Sequence, residues 1–218
     1  MAHTLNEQVR VIPAGTGDTN IELILDTIVE FTGWYRDGYT VYCDDAHTMG
    51  LRFNWSSGGS SCRAEGFFGG NIALNYKGSY AVSSGVTIRA HKSSDESVTY
   101  LDAGDPLIRL IHTKNVNGDD LLFMPSDRAG YIAGGSPTKT ATVEFSMPVY
   151  TTDKTYCITK MPDVINGAEI PSLYMVVGTA TPAEHNQLVS FDGAVFRIAF
   201  MGTDYNTYRS AFAFPVSD

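Results

Sequence analysis

The residues best placed by type and spacing for chemistry lie in CDDAHTM, 43–49, where Asp44, Asp45 and His47 fall close together. A set of this kind holds a metal when a third and fourth donor converge on it and outer partners orient the ligands. The sequence supplies no such partners, and an Asp-Asp pair is ordinary turn chemistry, so we read a turn. A second cluster lies in PLIRLIHTKNVNGDDLLFMPSDRAGYIAGG, 106–135. Thr113, Asn115, Asn117 and Gly118 follow the outline of a calcium loop. However, its first and twelfth positions are Thr113 and Met124 instead of an acid and a bidentate glutamate, and strands stand where helices belong. Asn117-Gly118 predicts a type I′ hairpin tip, Asp119 and Asp120 its solvated flank, and His112 a packed residue ending an apolar strand.

Other candidates are weaker. GTGDT, 15–19, has a GxG but neither the third glycine nor the preceding strand of a dinucleotide fold, and a loop entering a helix cap explains it. Ser126-Asp127 and the other serines never form GxSxG. His3, His47, His91, His112 and His185 lack the context of a triad. Cys43 sits beside two aspartates, which raise a thiol's pKa and so oppose nucleophilic use. Paired carboxylates gathered from distant strands, as in a β-sandwich glycosidase, stay open and rank last. FTGWYRDGYTVY concentrates aromatic rings, and Trp34, Tyr35 and Tyr39 form the one candidate ligand platform, for a sugar. Cross-strand packing explains the same rings better, because the alternation turns several of them inward. We expect no catalytic, cofactor-binding or metal-ligating residue, and no cofactor.

Composition narrows the classes further. Hydrophobic residues make up 43% and charged residues 18%, which fits a folded chain able to bury a core. A net charge of −9 opposes a nucleic-acid groove and an anionic membrane surface. Cys43, Cys62 and Cys157 are odd in number and widely spaced, which fits free thiols in a reducing cytoplasm and not a zinc or disulfide framework. MAHTLNEQVRVIPAG has no basic stretch followed by an apolar one, so no signal peptide is expected. No apolar run is long enough to span a bilayer as a helix.

The elements that must position these residues are legible in outline. In DTNIELILDTIVEFTG the residues Ile21, Ile24, Leu25, Ile28 and Val29 recur at helical spacing. Thr19 or Asn20 caps the start and Gly33 the end, which predicts an amphipathic helix over about 20–32. Beyond it the texture becomes period two. Short strands are predicted at 40–43, 51–55, 71–76, 86–91, 97–101, 107–112, 121–124, 140–147, 155–160, 173–177, 194–200 and 208–214. Turn signals separate them: SSGGSS (56–61), Gly69-Gly70, Asn117-Gly118, TPAEHNQ (181–187) and Asp192-Gly193. No helix fits between the strands, so a parallel sheet is excluded. The expectation is a mainly β chain, an antiparallel sandwich or barrel-like domain with one N-terminal helix. Residues 1–218 form one domain with an arm at 1–18, and the one candidate split is at 101–106 (LDAGDP).

The order of parts carries a resemblance. An amphipathic segment ending in FTGWY precedes a turn-rich hairpin region, then a strand ending in HTKN, a short LLFMPS strand, and Tyr/Phe-rich strands around Asp-Gly. In this order the chain resembles the small uncharacterised virion structural proteins of tailed bacteriophages and prophages. The resemblance implies a β-rich subunit of a tail or baseplate, with capsid decoration as an alternative. It implies location in the virion after synthesis in the host cytoplasm, with copies of itself and other virion proteins as partners. No functional residue is carried over. A carbohydrate-binding or receptor-binding β module contacting a host-surface glycan is the reading from a different class.

Overall fold

The computed structural model describes residues 5–69, 72–74, 79–93, 98–103, 109–125, 129–134, 139–144, 156–178, 188–200 and 211–216. The protein is mainly β, with antiparallel sheets and one α-helix near its N-terminus. Its contacts gather into two compact units. A helix-bearing unit comprises Glu7–Lys92 and Thr99–His112; an all-β unit comprises Met1–Asn6, Ser93–Val98 and Thr113–Asp218. The chain passes between them within or beside strands and not at 101–106, so no linker composition marks the boundaries.

The helix-bearing unit contains β1 (Leu5–Ile12), α1 (Gly17–Thr32), β2 (Tyr35–Asp37), β3 (Thr40–Tyr42), β4 (Met49–Asn54) and β5 (Cys62–Phe68). β6 (Ile72–Leu74), β7 (Ser79–Tyr80), a 3-10 turn (Val82–Ser84), β8 (Val86–Ser93), β9 (Val98–Ala103) and β10 (Arg109–Lys114) follow. Two strand orders run through it, β2-β3-β4-β5-β6 with β7 paired to β5, and β1-β8-β9-β10.

Helix α1 begins at Gly17, earlier than its apolar period suggests, because Thr16 is the cap: its hydroxyl accepts from Thr19 N at 3.4 Å. Asn20, expected at the cap, instead donates through Nδ2 to the carbonyls of Pro13 (3.1 Å) and Val82 (2.7 Å). Gly33 ends the helix in the left-handed conformation, and its N–H donates to Val29 O at 2.8 Å. Ile21, Ile24, Leu25 and Ile28 are fully buried, and each contributes about 2 kcal/mol of apolar burial.

The segment expected to be an arm contains strand β1. Alternation explains it: Ile12 turns inward, and Arg10 on the same face reaches back to α1. The Arg10 guanidinium donates to both oxygens of Glu30 (2.7 and 2.8 Å) and to Thr27 Oγ1 (3.1 Å), and lies 5.2 Å from the Phe31 ring centre. Along the same i, i+4 row as Glu30, Asp26 and Glu22 pair with Arg36 of β2, Asp26 at 2.6 Å.

In the all-β unit, β11 (Asp120–Pro125), β12 (Ala129–Gly134) and β13 (Lys139–Glu144) pair antiparallel in chain order. β14 (Tyr156–Pro162), β15 (Glu169–Gly178), β16 (Leu188–Phe191), β17 (Ala194–Phe200) and β18 (Ala211–Val216) form a sheet in the order β14-β15-β18-β17-β16. Ile158, Val189, Phe196, Ile198 and Ala213 make its core, with Tyr174, Val176 and Phe191 against it.

The two tips Asn117-Gly118 and Asp192-Gly193 part company. Asp192 and Gly193 both have positive φ (48° and 76°), as a type I′ turn demands. At Asn117-Gly118 only the glycine is left-handed (φ 84°). Gly118 N donates to Asn115 O, and Asn115 N to Asp119 O, so the tip is one residue longer: a type I turn closed by a glycine bulge. Of the sequence candidates, His3, Ser126-Asp127, His185 and the loop 181–187 lie outside the described residues.

Candidate functional site

At 43–49 the structure places every oxygen of Asp44 on its own turn. The carboxylate accepts from Thr48 N (2.9 and 3.1 Å), Thr48 Oγ1 (2.7 Å) and Met49 N (2.9 Å). Its side chain is buried, while Asp45 and His47 are exposed. His47 has φ 54°, a left-handed conformation that non-glycine residues adopt at a cost of about 1 kcal/mol. The turn thus brings Asp44 into the backbone and turns His47 away from it. Among the described residues, no group of three or more His, Cys, Asp and Glu is placed to hold a metal ion.

The tip at 115–119 is organised in the same way. Asn115 Oδ1 accepts from the N–H groups of Asn117 (2.9 Å) and Asp119 (3.0 Å). Its Nδ2 donates to Asp119 Oδ2 (2.9 Å) and Asp163 Oδ2 (3.0 Å). Asp163 in turn accepts from Ile165 N and Asn166 N (3.0 Å each) through Oδ1. Two turns distant in sequence are therefore clasped by one buried amide–carboxylate hydrogen bond, and Val116 N adds a bond to Glu169 O at 2.9 Å. Asp120 lies 3.7 Å from Lys114 Nζ. The local signal was present, since Asn115 stands two residues before Asn117 as an Asx turn requires, but the partner Asp163 was not readable.

A third pin was missed altogether. Asp18, in the first turn of α1, accepts from Trp55 Nε1 (3.1 Å), Ser57 Oγ (3.3 Å) and Gly58 N (3.1 Å to each oxygen). The loop SSGGSS, read as a flexible or bulged turn, is fastened by this carboxylate to the helix start, where the dipole favours a negative charge.

The aromatic platform divides. Trp34 is 6% exposed and stands edge-on to the buried His112, ring centres 6.1 Å apart, so it belongs to the core and not to a surface. This corrects its place in the platform and agrees with the reading of His112 as packed. Tyr35 and Tyr39 are exposed, at 53% and 38%. Tyr35 stacks on His47 at 4.3 Å, with Tyr42 tilted beside both, and Tyr42 meets the edge of Phe67 at 5.4 Å. The pairing of Tyr35 with Tyr42 across β2 and β3 sets both on one face of the sheet.

Burial pushes the Cys62 thiol up to about 12, which leaves it protonated and unreactive at neutral pH. Cys43 is also a buried free thiol, its Sγ 3.5 Å from Met49 O, and Cys157 stands in β14. Hydrogen bonding to Arg10 lowers the pKa of Glu30, and hydrogen bonding to Glu169 raises that of Lys160; both are surface ion pairs.

Fold and polar geometry together define a mainly antiparallel β protein in which Asp18, Asp44, Asn115 and Asp163 hold turns and loops. No protein-family model matches the chain, and neither the curated proteins nor the solved structures contain a match.

Proposed function

We propose that the chain is a structural subunit of a tailed-bacteriophage virion, acting in the tail or baseplate by association with copies of itself and with other virion proteins. One observation carries the reading. Of the residues that the sequence offers for chemistry, Asp44 fastens Thr48 and Met49 and Asn115 fastens Asp119, and Asp18, which the sequence did not single out, fastens Gly58 in the same way. Such pins make stiff β units, which suits a part whose work is to hold a shape against its neighbours. The order of sequence parts that resembles virion proteins supports the same reading. A mass-spectrometric search of purified particles tests it. Recovery of the chain in many copies per particle is expected. Its absence from intact particles, or hydrolytic turnover by a monomer, overturns the proposal. Separated tails and capsids distinguish the baseplate position from capsid decoration.

The exposed Tyr35 and Tyr39 favour a second reading, a receptor-binding or carbohydrate-binding module. Saturable binding on a glycan array, lost in Tyr35→Ala with the fold intact, supports it; a blank array removes it.

A further inference from the structure

Strand β1 ends the order β1-β8-β9-β10, and among the described residues β8 is the strand that pairs with it. Sheet edges of this kind invite another strand unless a charge, a proline or a bulge blunts them. β1 runs for eight residues, and Pro13 lies just beyond its end. Both charges between Glu7 and Ile12 are engaged inside the unit. Glu7 accepts from Arg89 Nη1 at 2.8 Å, and Arg10 forks onto Glu30. On the face opposite Ile12 the strand exposes two valines, Val9 at 48% and Val11 at 70%, while Gln8 is exposed on the other face.

We propose that β1 pairs antiparallel with β1 of a second copy of this chain, about a two-fold axis through Val9 and normal to the sheet. The inference rests on the association reading and deepens it by naming the surface. Charge selects the register. A two-fold normal to the sheet preserves its faces, so each residue meets one of its own parity in the other copy. An axis through Glu7 sets Glu7 against Glu7, and one through Arg10 sets Arg10 against Arg10. Parallel in-register stacking makes both clashes together, and like charges directly opposite are unfavourable. The axis through Val9 avoids them. It sets Val9 on Val9, Val11 beside the stem of Glu7, and Gln8 against Arg10. An axis through Gln8 also avoids the clashes and sets Val9 against Glu7 and Val11 against Leu5. The Val9 axis is the one that brings the two exposed Val9 side chains together, and the cysteine pair below distinguishes the two.

The experiment uses the full chain. Sedimentation velocity over a concentration series is expected to show a monomer–dimer equilibrium. The double substitution Val9→Lys with Val11→Lys, at exposed positions, weakens it by about tenfold or more, with the circular dichroism and thermal melt preserved. Single cysteines read the register. Val9→Cys brings two thiols directly opposite and gives a disulfide-linked dimer under mild oxidation. Val11→Cys separates them by four residues, about 13 Å, and stays at the wild-type background. A wild-type chain that remains monomeric at every concentration overturns the inference. So does a dimer indifferent to the lysines, or equal cross-linking at both cysteine positions. These outcomes are independent of the particle test. A chain found in particles whose dimer ignores β1 sinks the edge pairing alone, and a chain absent from particles sinks the virion reading while a Val9 cross-link stands.

Discussion

Replacing Asp44 by alanine separates a turn from a reactive site. The carboxylate accepts from two backbone N–H groups and one hydroxyl. Thr48 is exposed, so water replaces much of what its N–H and hydroxyl lose. Met49 is 3% exposed, and its N–H is left buried without an acceptor. A buried donor stranded in this way costs about 1–3 kcal/mol, and loss of a charge-assisted bond costs about the same. Removing the buried charge recovers part of its desolvation. The net expectation is a destabilisation of about 3 kcal/mol, and about half of that for Asp44→Asn, which keeps one acceptor oxygen. Urea titration followed by tryptophan fluorescence measures it well, because both tryptophans of the chain, Trp34 and Trp55, lie in the helix-bearing unit. A loss under about 0.5 kcal/mol refutes the turn argument. A wild-type midpoint raised by added calcium or manganese, with the variant's unchanged, refutes it more directly by reinstating a metal at Asp44, Asp45 and His47.

Neighbouring aromatic residues should behave oppositely: Trp34→Ala costs about 3–5 kcal/mol by the same titration, whereas Tyr35→Ala costs under about 1 kcal/mol because its ring is half exposed. Asn115→Ala breaks the clasp to Asp163, and hydrogen exchange should accelerate at Asn117, Asp119 and Val116 together; acceleration at one of them alone contradicts a shared clasp. Cys62 sets a pH dependence. Its folded pKa lies about 12 against an ordinary 9.0, so the unfolded chain loses the proton first. The stability it contributes is complete below pH 9 and falls by about 1.4 kcal/mol per unit as pH rises from there towards 12. Cys62→Ala should flatten that part of the urea-midpoint profile, and an unchanged slope counts against a buried thiol.

Strands whose side chains alternate about one buried face were legible. VTIRAH became part of Val86–Ser93, and AVFRIAF coincides with Ala194–Phe200. CRAEGFF was missed as Cys62–Phe68 because its two faces are both covered, so alternation disappears, and Glu65 sits inside the run. That charge is tolerated because Arg63 and Arg52 approach it at 2.9 and 3.5 Å from the same strand and its neighbour. AGYIAG was missed as Ala129–Gly134 because glycines weaken any strand signal. MAHTLNEQVRVI reads as a polar arm until Arg10 is seen to reach Glu30.

The sequence by itself determined the fold class, the helix and the places where the backbone reverses, because period, caps and turn residues act over a few bonds. Only the tertiary structure decided which of two adjacent aromatic residues faces solvent, Trp34 or Tyr35, since that depends on what lies opposite. It also decided the partners of Asp18 and Asn115, which arrive from about forty residues away or more. Local geometry fixes where a polar side chain points along the chain; packing across it fixes what that side chain meets.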